Sequence, residues 1–209
     1  GFHLDNIFQN RGTKLVINAW VPLHHTTLTH GPMCVVRGSN SHDIYSKIRN
    51  TYGAFDIEAG DVHGDGSFTQ HPQELLQLST LTMQNEDGDT VKENVCPILT
   101  SSFDPGDLVI TTCYTMHSFL TNTSPFWRFS GETKWIMEGD DVGPDPRYVP
   151  EPYEKMAVGL DRWHATMDDK KLRPRSMNDA KRDWGLVNES KSPAAAGSNG
   201  SSGGDEKKD

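Results

Sequence analysis

The apolar residues of this chain fall in short alternating runs, each closed by glycine, proline or asparagine. That spacing favours antiparallel β-structure over any other class of fold. Residues 15–23 (LVINAWVPL) place Leu15, Ile17, Ala19, Val21 and Leu23 on one face and Val16, Asn18 and Trp20 on the other, the period of a strand. A polar connection ending in Gly31-Pro32 leads to a second strand, 33–37 (MCVVR), stopped by Gly38-Ser39-Asn40. Asp104-Pro-Gly106-Asp107 turns into a β-branched run at 108–114 (LVITTCY). After the turn Asn122-Thr-Ser-Pro125, residues 127–137 (WRFSGETKWIM) alternate again. Strands separated by turns predict an antiparallel sandwich or barrel with a few flanking helices.

Helical patterns are short. Residues 41–52 predict a helix with Ser41 as N-cap and Ile44, Tyr45 and Ile48 on one side. Residues 72–83 predict another, with Pro72 in its first turn, before a turn at Asp87-Gly88. Residues 56–70, rich in glycine and aspartate, read as a loop, and the proline-rich stretch 144–152 as extended chain. A stripe of Tyr153, Met156, Ala157, Leu160, Trp163 and Met167 predicts a helix lying on the outside of the sheet. Residues 1–188 form one domain on this reading, and 189–209, rich in Ser, Gly and Ala with a charged end, a disordered tail. The chain opens on Gly1, so the N-terminal part of the domain is expected to be missing.

Charge and cysteine usage exclude several classes of function. With 20 basic and 29 acidic residues the net charge is −9, which argues against nucleic acid or an anionic membrane surface as partner. No apolar run approaches the roughly 18 residues of a membrane span. The three cysteines, Cys34, Cys96 and Cys113, include no CxxC pair, so they predict neither a disulfide scaffold nor a zinc ribbon. They read as small buried apolar residues in a reducing, intracellular compartment.

The residues with most chemistry in them are His3-Leu4-Asp5. In an extended strand, residues i and i+2 project from one face, so an imidazole and a carboxylate meet one metal ion from one strand. His117, after the 108–114 strand, is the candidate for a second imidazole. Two histidines and a carboxylate on one face of an octahedron are the facial triad of non-haem Fe(II) oxygenases, and leave positions for a bidentate 2-oxo acid and O2. The far carboxylate of 2-oxoglutarate then needs a fixed cation. Arg128, on the strand after His117, supplies the planar fork, and Ser130 is placed to add a hydrogen bond. A second triplet, His63-Gly64-Asp65, competes with His3 and Asp5 but lacks an apolar strand to hold it rigid. His24, His25, His30, His71 and His164 read as solvent-facing, and Glu138-Gly-Asp-Asp141 as a solvated turn.

Taken together, His3-Leu-Asp5, LVINAW (15–20), GPMCVVRGSNSH (31–42), PGDLVI (105–110) and the stretch from His117 through Asn122 to Arg128 resemble the phytanoyl-CoA hydroxylase-like branch of the Fe(II)/2-oxoglutarate-dependent dioxygenases, across roughly residues 2–136. The resemblance implies a double-stranded β-helix, or jelly roll. It implies Fe(II) held by His3, Asp5 and His117, 2-oxoglutarate clamped by Arg128, and Trp20 lining the cosubstrate pocket. The implied reaction is hydroxylation of an unactivated C–H bond in a small-molecule or acyl substrate, with release of succinate and CO2. The chain departs from the family pattern at Arg37-Gly38-Ser39-Asn40, where Pro-Gly-Ser-His is usual, with His42 displaced by two. It departs again at Phe119, where a hydroxyl residue is usual near the metal. Those departures motivate an alternative, a jelly-roll metal- or ligand-binding protein without catalysis.

Overall fold

A computed structural model describes residues 1–57, 62, 64–148 and 176–187. The expected helix at 153–167, the tail at 189–209, the end of the proline-rich stretch, His63 and His164 lie outside the described residues. Among those described, the strands are β1 (Ile17–Pro22), β2 (Met33–Val36), β3 (Thr80–Gln84), β4 (Thr90–Asn94), β5 (Ile98–Leu99), β6 (Val109–Thr112), β7 (His117–Phe119) and β8 (Ser130–Trp135). They form antiparallel sheets in the orders β6-β1-β8, β5-β2-β7 and β3-β4. The fold is mainly β with few helices, a jelly-roll-like arrangement.

The alternation in β1 is met, and the structure decides which face is inside. Val16, Asn18 and Trp20 are buried, whereas Leu15, Ile17 and Leu23 are exposed. A polar residue, Asn18, therefore stands on the core face, between two apolar ones. β1 pairs with β8 in the register Asn18↔Lys134 and Trp20↔Glu132. The strand expected at 127–137 begins only at Ser130, which leaves Phe126, Trp127 and Phe129 exposed ahead of it.

Helices are shorter than the sequence pattern predicts. The segment 41–52 divides into a 3-10 turn, Asp43–Tyr45, and α1, Ser46–Asn50. His42, not Ser41, caps it, its ring nitrogen accepting from the Ile44 amide at 3.2 Å. Helix α2 runs Pro72–Leu78 and stops there rather than at residue 83. Ser79 returns its hydroxyl to Leu75 O at 2.9 Å, and the threonine-rich segment that follows becomes the first strand of the β3-β4 hairpin. The expected turn at Asp87-Gly88 closes that hairpin, with Gly88 at φ +85°. A further helix, α3 (Met177–Asp183), starts with a capping box between Ser176 and Asp179.

The core explains why the first residues of the chain are fixed. Phe2 and Leu4 are buried with Ile7, Val36, Tyr45, Ile48, Tyr52, Phe68, Leu75 and Met116. His3 sits between two buried apolar side chains and pairs through its backbone with His117, the two amide-to-carbonyl bonds measuring 3.0 and 3.1 Å. Just before β7, the buried Ser39 hydroxyl donates to Val36 O and accepts from the Met116 amide, both at 2.8 Å, which ties the Gly38 turn to the strand carrying His117. The three cysteines are buried and free. Burial pushes the Cys34 and Cys113 thiols up to about 11, as unreactive packing residues.

Candidate metal centre

The N-terminal segment and β7 bring His3, Asp5 and His117 together, three residues whose donor atoms all lie within 4.8 Å of one another. Asp5 Oδ1 is 3.4 Å from His3 Nε2 and 3.7 Å from His117 Nε2, and the two imidazole centroids are 4.4 Å apart. Asp5 and His117 are buried, and His3 is partly exposed. Among the described residues no other group of His, Cys, Asp or Glu side chains meets in this way.

Backbone carbonyls set the tautomer of both rings. His3 Nδ1 is 2.9 Å from Gly1 O, and His117 Nδ1 is 2.9 Å from Thr115 O. A carbonyl oxygen only accepts, so each Nδ1 carries a proton, and a neutral ring then keeps its lone pair on Nε2, the nitrogen that faces Asp5. A metal-binding histidine is oriented in the same manner, its other nitrogen donating to a fixed acceptor.

The second oxygen of Asp5 faces away from the imidazoles. It accepts hydrogen bonds from Asn18 Nδ2 and from Lys134 Nζ, the latter at 3.2 Å. Lys134 Nζ also donates to Asn18 Oδ1 at 3.1 Å and to Glu132 Oε1 at 2.9 Å. Burial pushes the Asp5 carboxyl up, but the hydrogen bond from His3 and the charges of His117, Lys134 and His3 outweigh it and hold Asp5 far below the usual carboxylate range. Burial lowers His117, whereas at His3 the hydrogen bond and charge of Asp5 overcome burial and raise it. The cluster thus presents an ionised carboxylate beside a neutral His117, a donor set that suits a divalent first-row ion.

The other expected site residues are dispersed around this centre. Trp20, on the buried face of β1, packs against Phe103 and Phe119 with centroids 5.3 and 6.0 Å away, and its buried indole N–H has no hydrogen-bond partner among the described residues. Arg128 lies two residues before β8. Its guanidinium donates to Gly31 O and covers the Phe119 ring, 4.1 Å from the centroid. Ser130 is exposed at the first position of β8. Asp65, from the competing triplet, accepts from the Ser67 amide at 2.9 Å and is not part of the cluster. The other histidines serve the connection that carries them. His24 accepts from the Phe129 amide at 3.1 Å, His25 pairs with Asp104, and His30 bonds Thr27 Oγ1 at 2.7 Å. Asp140 accepts from the Val142 and Gly143 amides at 2.9 and 3.0 Å, as a turn residue does.

Sequence reasoning missed Asn18 and Lys134. Asn18 was visible as a polar interruption of the Val16–Trp20 face. Lys134 had no such signal, because its role depends on the non-local β1–β8 register.

The structure thus presents a candidate metal centre of two histidines and a carboxylate on a jelly-roll-like β fold. The family model for phytanoyl-CoA dioxygenase (PhyH) matches residues 1–130, and the chain belongs to that family. A search of the curated proteins finds no match. The matched region contains all three residues of the cluster and Arg128. Among the described residues no helix is long and apolar enough to cross a membrane.

Proposed function

We propose that the protein is an Fe(II)- and 2-oxoglutarate-dependent dioxygenase that hydroxylates an unactivated C–H bond of a small-molecule or acyl substrate, with release of succinate and CO2. The observation that carries the reading is the convergence of His3 Nε2, His117 Nε2 and Asp5 Oδ1, with both imidazole Nδ1 protons already committed to backbone carbonyls. Those three side chains would hold Fe(II), and Fe(II), when bound, supplies the electron-transfer and O2 chemistry that organic side chains lack. The protein contributes binding and orientation. Arg128 would hold the distal carboxylate of 2-oxoglutarate, Trp20 offers its unpartnered indole N–H from the adjoining wall, and Ser130 stands at the start of the next strand. Phe2, Leu4 and Met116, chain neighbours of the three side chains, are buried in the apolar core and anchor the segments that carry them. The net charge of −9 supports a non-nucleic-acid substrate, and the free buried thiols support a reducing, intracellular compartment.

The test is succinate formation. Purified protein with Fe(II), ascorbate and 2-oxoglutarate is expected to release succinate, and His117→Ala to abolish that release while keeping the fold. Full turnover in His117→Ala overturns the assignment.

One observation favours a second reading, a binding protein without catalysis. The Arg128 guanidinium already donates to Gly31 O and lies on Phe119, an aromatic ring that offers no hydrogen bond beside the centre. Iron uptake with no measurable affinity for 2-oxoglutarate would select that reading.

A further inference from the structure

Asp5 has two oxygens, and the structure treats them differently. Oδ1 faces the two imidazoles, whereas Oδ2 is taken by Asn18 and Lys134. We infer that Lys134 and Asn18 are positioning residues that clamp Asp5 Oδ2 and so restrict Asp5 to one-oxygen coordination of a metal ion. The inference rests on the metal-binding reading above and adds to it two residues outside the triad.

The hydrogen bonds around Lys134 leave little freedom. An ammonium has three protons, and here they go to Asp5 Oδ2, Asn18 Oδ1 and Glu132 Oε1. Because Asn18 Oδ1 accepts from Lys134, the amide nitrogen of Asn18 must be the atom that points at Asp5, which fixes the amide orientation. Asn18 and Lys134 are register partners across β1 and β8, so two strands of one sheet, rather than a loop, set the position of the clamp. Glu132, two residues before Lys134, holds the ammonium from the same strand. Without the clamp the carboxylate turns about its Cβ–Cγ bond and presents both oxygens, and a second carboxylate oxygen on the ion removes a position that another ligand would fill.

The probe is Co(II), titrated into metal-free protein and followed by its visible ligand-field absorption. Wild type is expected to bind. Lys134→Met is expected to bind about ten-fold or more weakly, with an altered ligand-field spectrum, because loss of an outer partner of a ligand typically costs 10–100-fold in affinity. Lys134→Arg, which keeps charge and donors, is expected to recover part of the affinity, and Asn18→Ser to fall between wild type and Lys134→Met. Thermal melts of the metal-free proteins report whether each variant folds, and a variant that does not fold passes the test to Lys134→Arg and Asn18→Ser. Wild-type binding together with folded Lys134→Met or Asn18→Ser whose affinity and spectrum match wild type overturns the inference and leaves the metal centre standing. A wild type that takes up no Co(II) overturns the metal centre and the inference with it.

Discussion

Arg128 rests its guanidinium on the face of Phe119, 4.1 Å from the ring centroid, and Phe119 follows His117 by two positions in the same short strand. Residues two apart on a strand share a face, so the aromatic platform of Arg128 and the inner imidazole of the metal centre belong to one surface. The contact supports the arginine through a cation–π interaction and holds it in place without neutralising it.

From that contact follows a division of effects. Arg128→Gln removes a charge-assisted fork worth about 1.5–3 kcal/mol to a carboxylate. The concentration of 2-oxoglutarate needed for half-maximal succinate formation is expected to rise about 10–100-fold, with a smaller change in kcat. Phe119→Ala removes only the platform, worth about 0.5–2 kcal/mol, and is expected to give a weaker effect of the same kind. Steady-state kinetics in 2-oxoglutarate check both, and an Arg128→Gln enzyme with wild-type half-saturation would show that the arginine serves the fold alone.

Gly31 is required by geometry. Its φ is +71°, in the left-handed region, and a Cβ there would stand 2.2 Å from the backbone oxygen of Leu120. Its own carbonyl accepts from Arg128. Gly31→Ala must therefore shift main chain, not a flexible side chain, and is expected to cost at least about 2–3 kcal/mol, the upper end of a single strained backbone site. Urea unfolding measures the loss, and the displaced Gly31 carbonyl is expected to raise half-saturation for 2-oxoglutarate as well. A stability within about 0.5 kcal/mol of wild type would be inconsistent with the close contact.

Lys181 ties α3 to the rest of the core. It is 1% exposed, its ammonium is 2.7 Å from Glu74 Oε1 on α2, and it lies 4.0 Å from the centre of the Phe68 ring. Burial lowers its pKa, and the Glu74 carboxylate opposes that shift without overcoming it. Removing one partner of a buried pair costs more than replacing the cation by an apolar group of similar shape. Glu74→Ala is expected to destabilise by about 2–3 kcal/mol, discounted because Glu74 is partly exposed, while Lys181→Met is expected to fall within about 1 kcal/mol of wild type. Denaturant midpoints at constant m-value decide it, and Lys181→Met as harmful as Glu74→Ala would show that the ion pair itself stabilises the contact.

Much of this was legible in the chain, and the limits have physical causes. The HxD triplet, His117 and the turn residues around each strand are local signals, and the structure brings the triad together. Apolar residues stand on both faces of β1, so alternation alone could not say that Asn18 and Trp20 face inward while Ile17 faces out. That choice belongs to Asp5 and Lys134, which reach Asn18 from distant parts of the sequence. Pro72 and the leucines Leu75, Leu76 and Leu78 predict a helix over 72–83, but Thr80 and Thr82 pack better on a pleated surface, and the Asp87-Gly88 turn supplies the return strand. Helix α3 is only seven residues long, too short for periodicity to reveal, and its signature is the Ser176–Asp179 cap.

Acid stability offers a last test, through Asp145. Its carboxylate accepts from Arg147 Nη2 at 2.6 Å, Arg147 Nε at 2.9 Å and the Arg11 amide at 3.1 Å, and the side chain is almost fully buried. Burial pushes its carboxyl up, but the hydrogen bonds from Arg147 and from the Arg11 amide prevail and the group sits below the usual carboxylate range. A depressed carboxyl binds fewer protons in the folded chain than in the unfolded one. Its contribution is therefore complete above the unfolded value of about 3.9 and disappears as pH falls through the folded value. Asp145→Asn keeps the shape but removes the charge beside Arg147, which still has Asp56 as a partner at 3.3 Å. The variant is expected to be less stable than wild type by about 2–3 kcal/mol at pH 7, less than the full penalty for orphaning a buried charge because Asp56 stays in place. The gap is expected to narrow below about pH 4, where the wild-type carboxylate also becomes protonated. Urea unfolding of both proteins from pH 7 to pH 2.5 measures that gap, and a difference that stays constant across the range would show that the Asp145 charge contributes nothing to the fold.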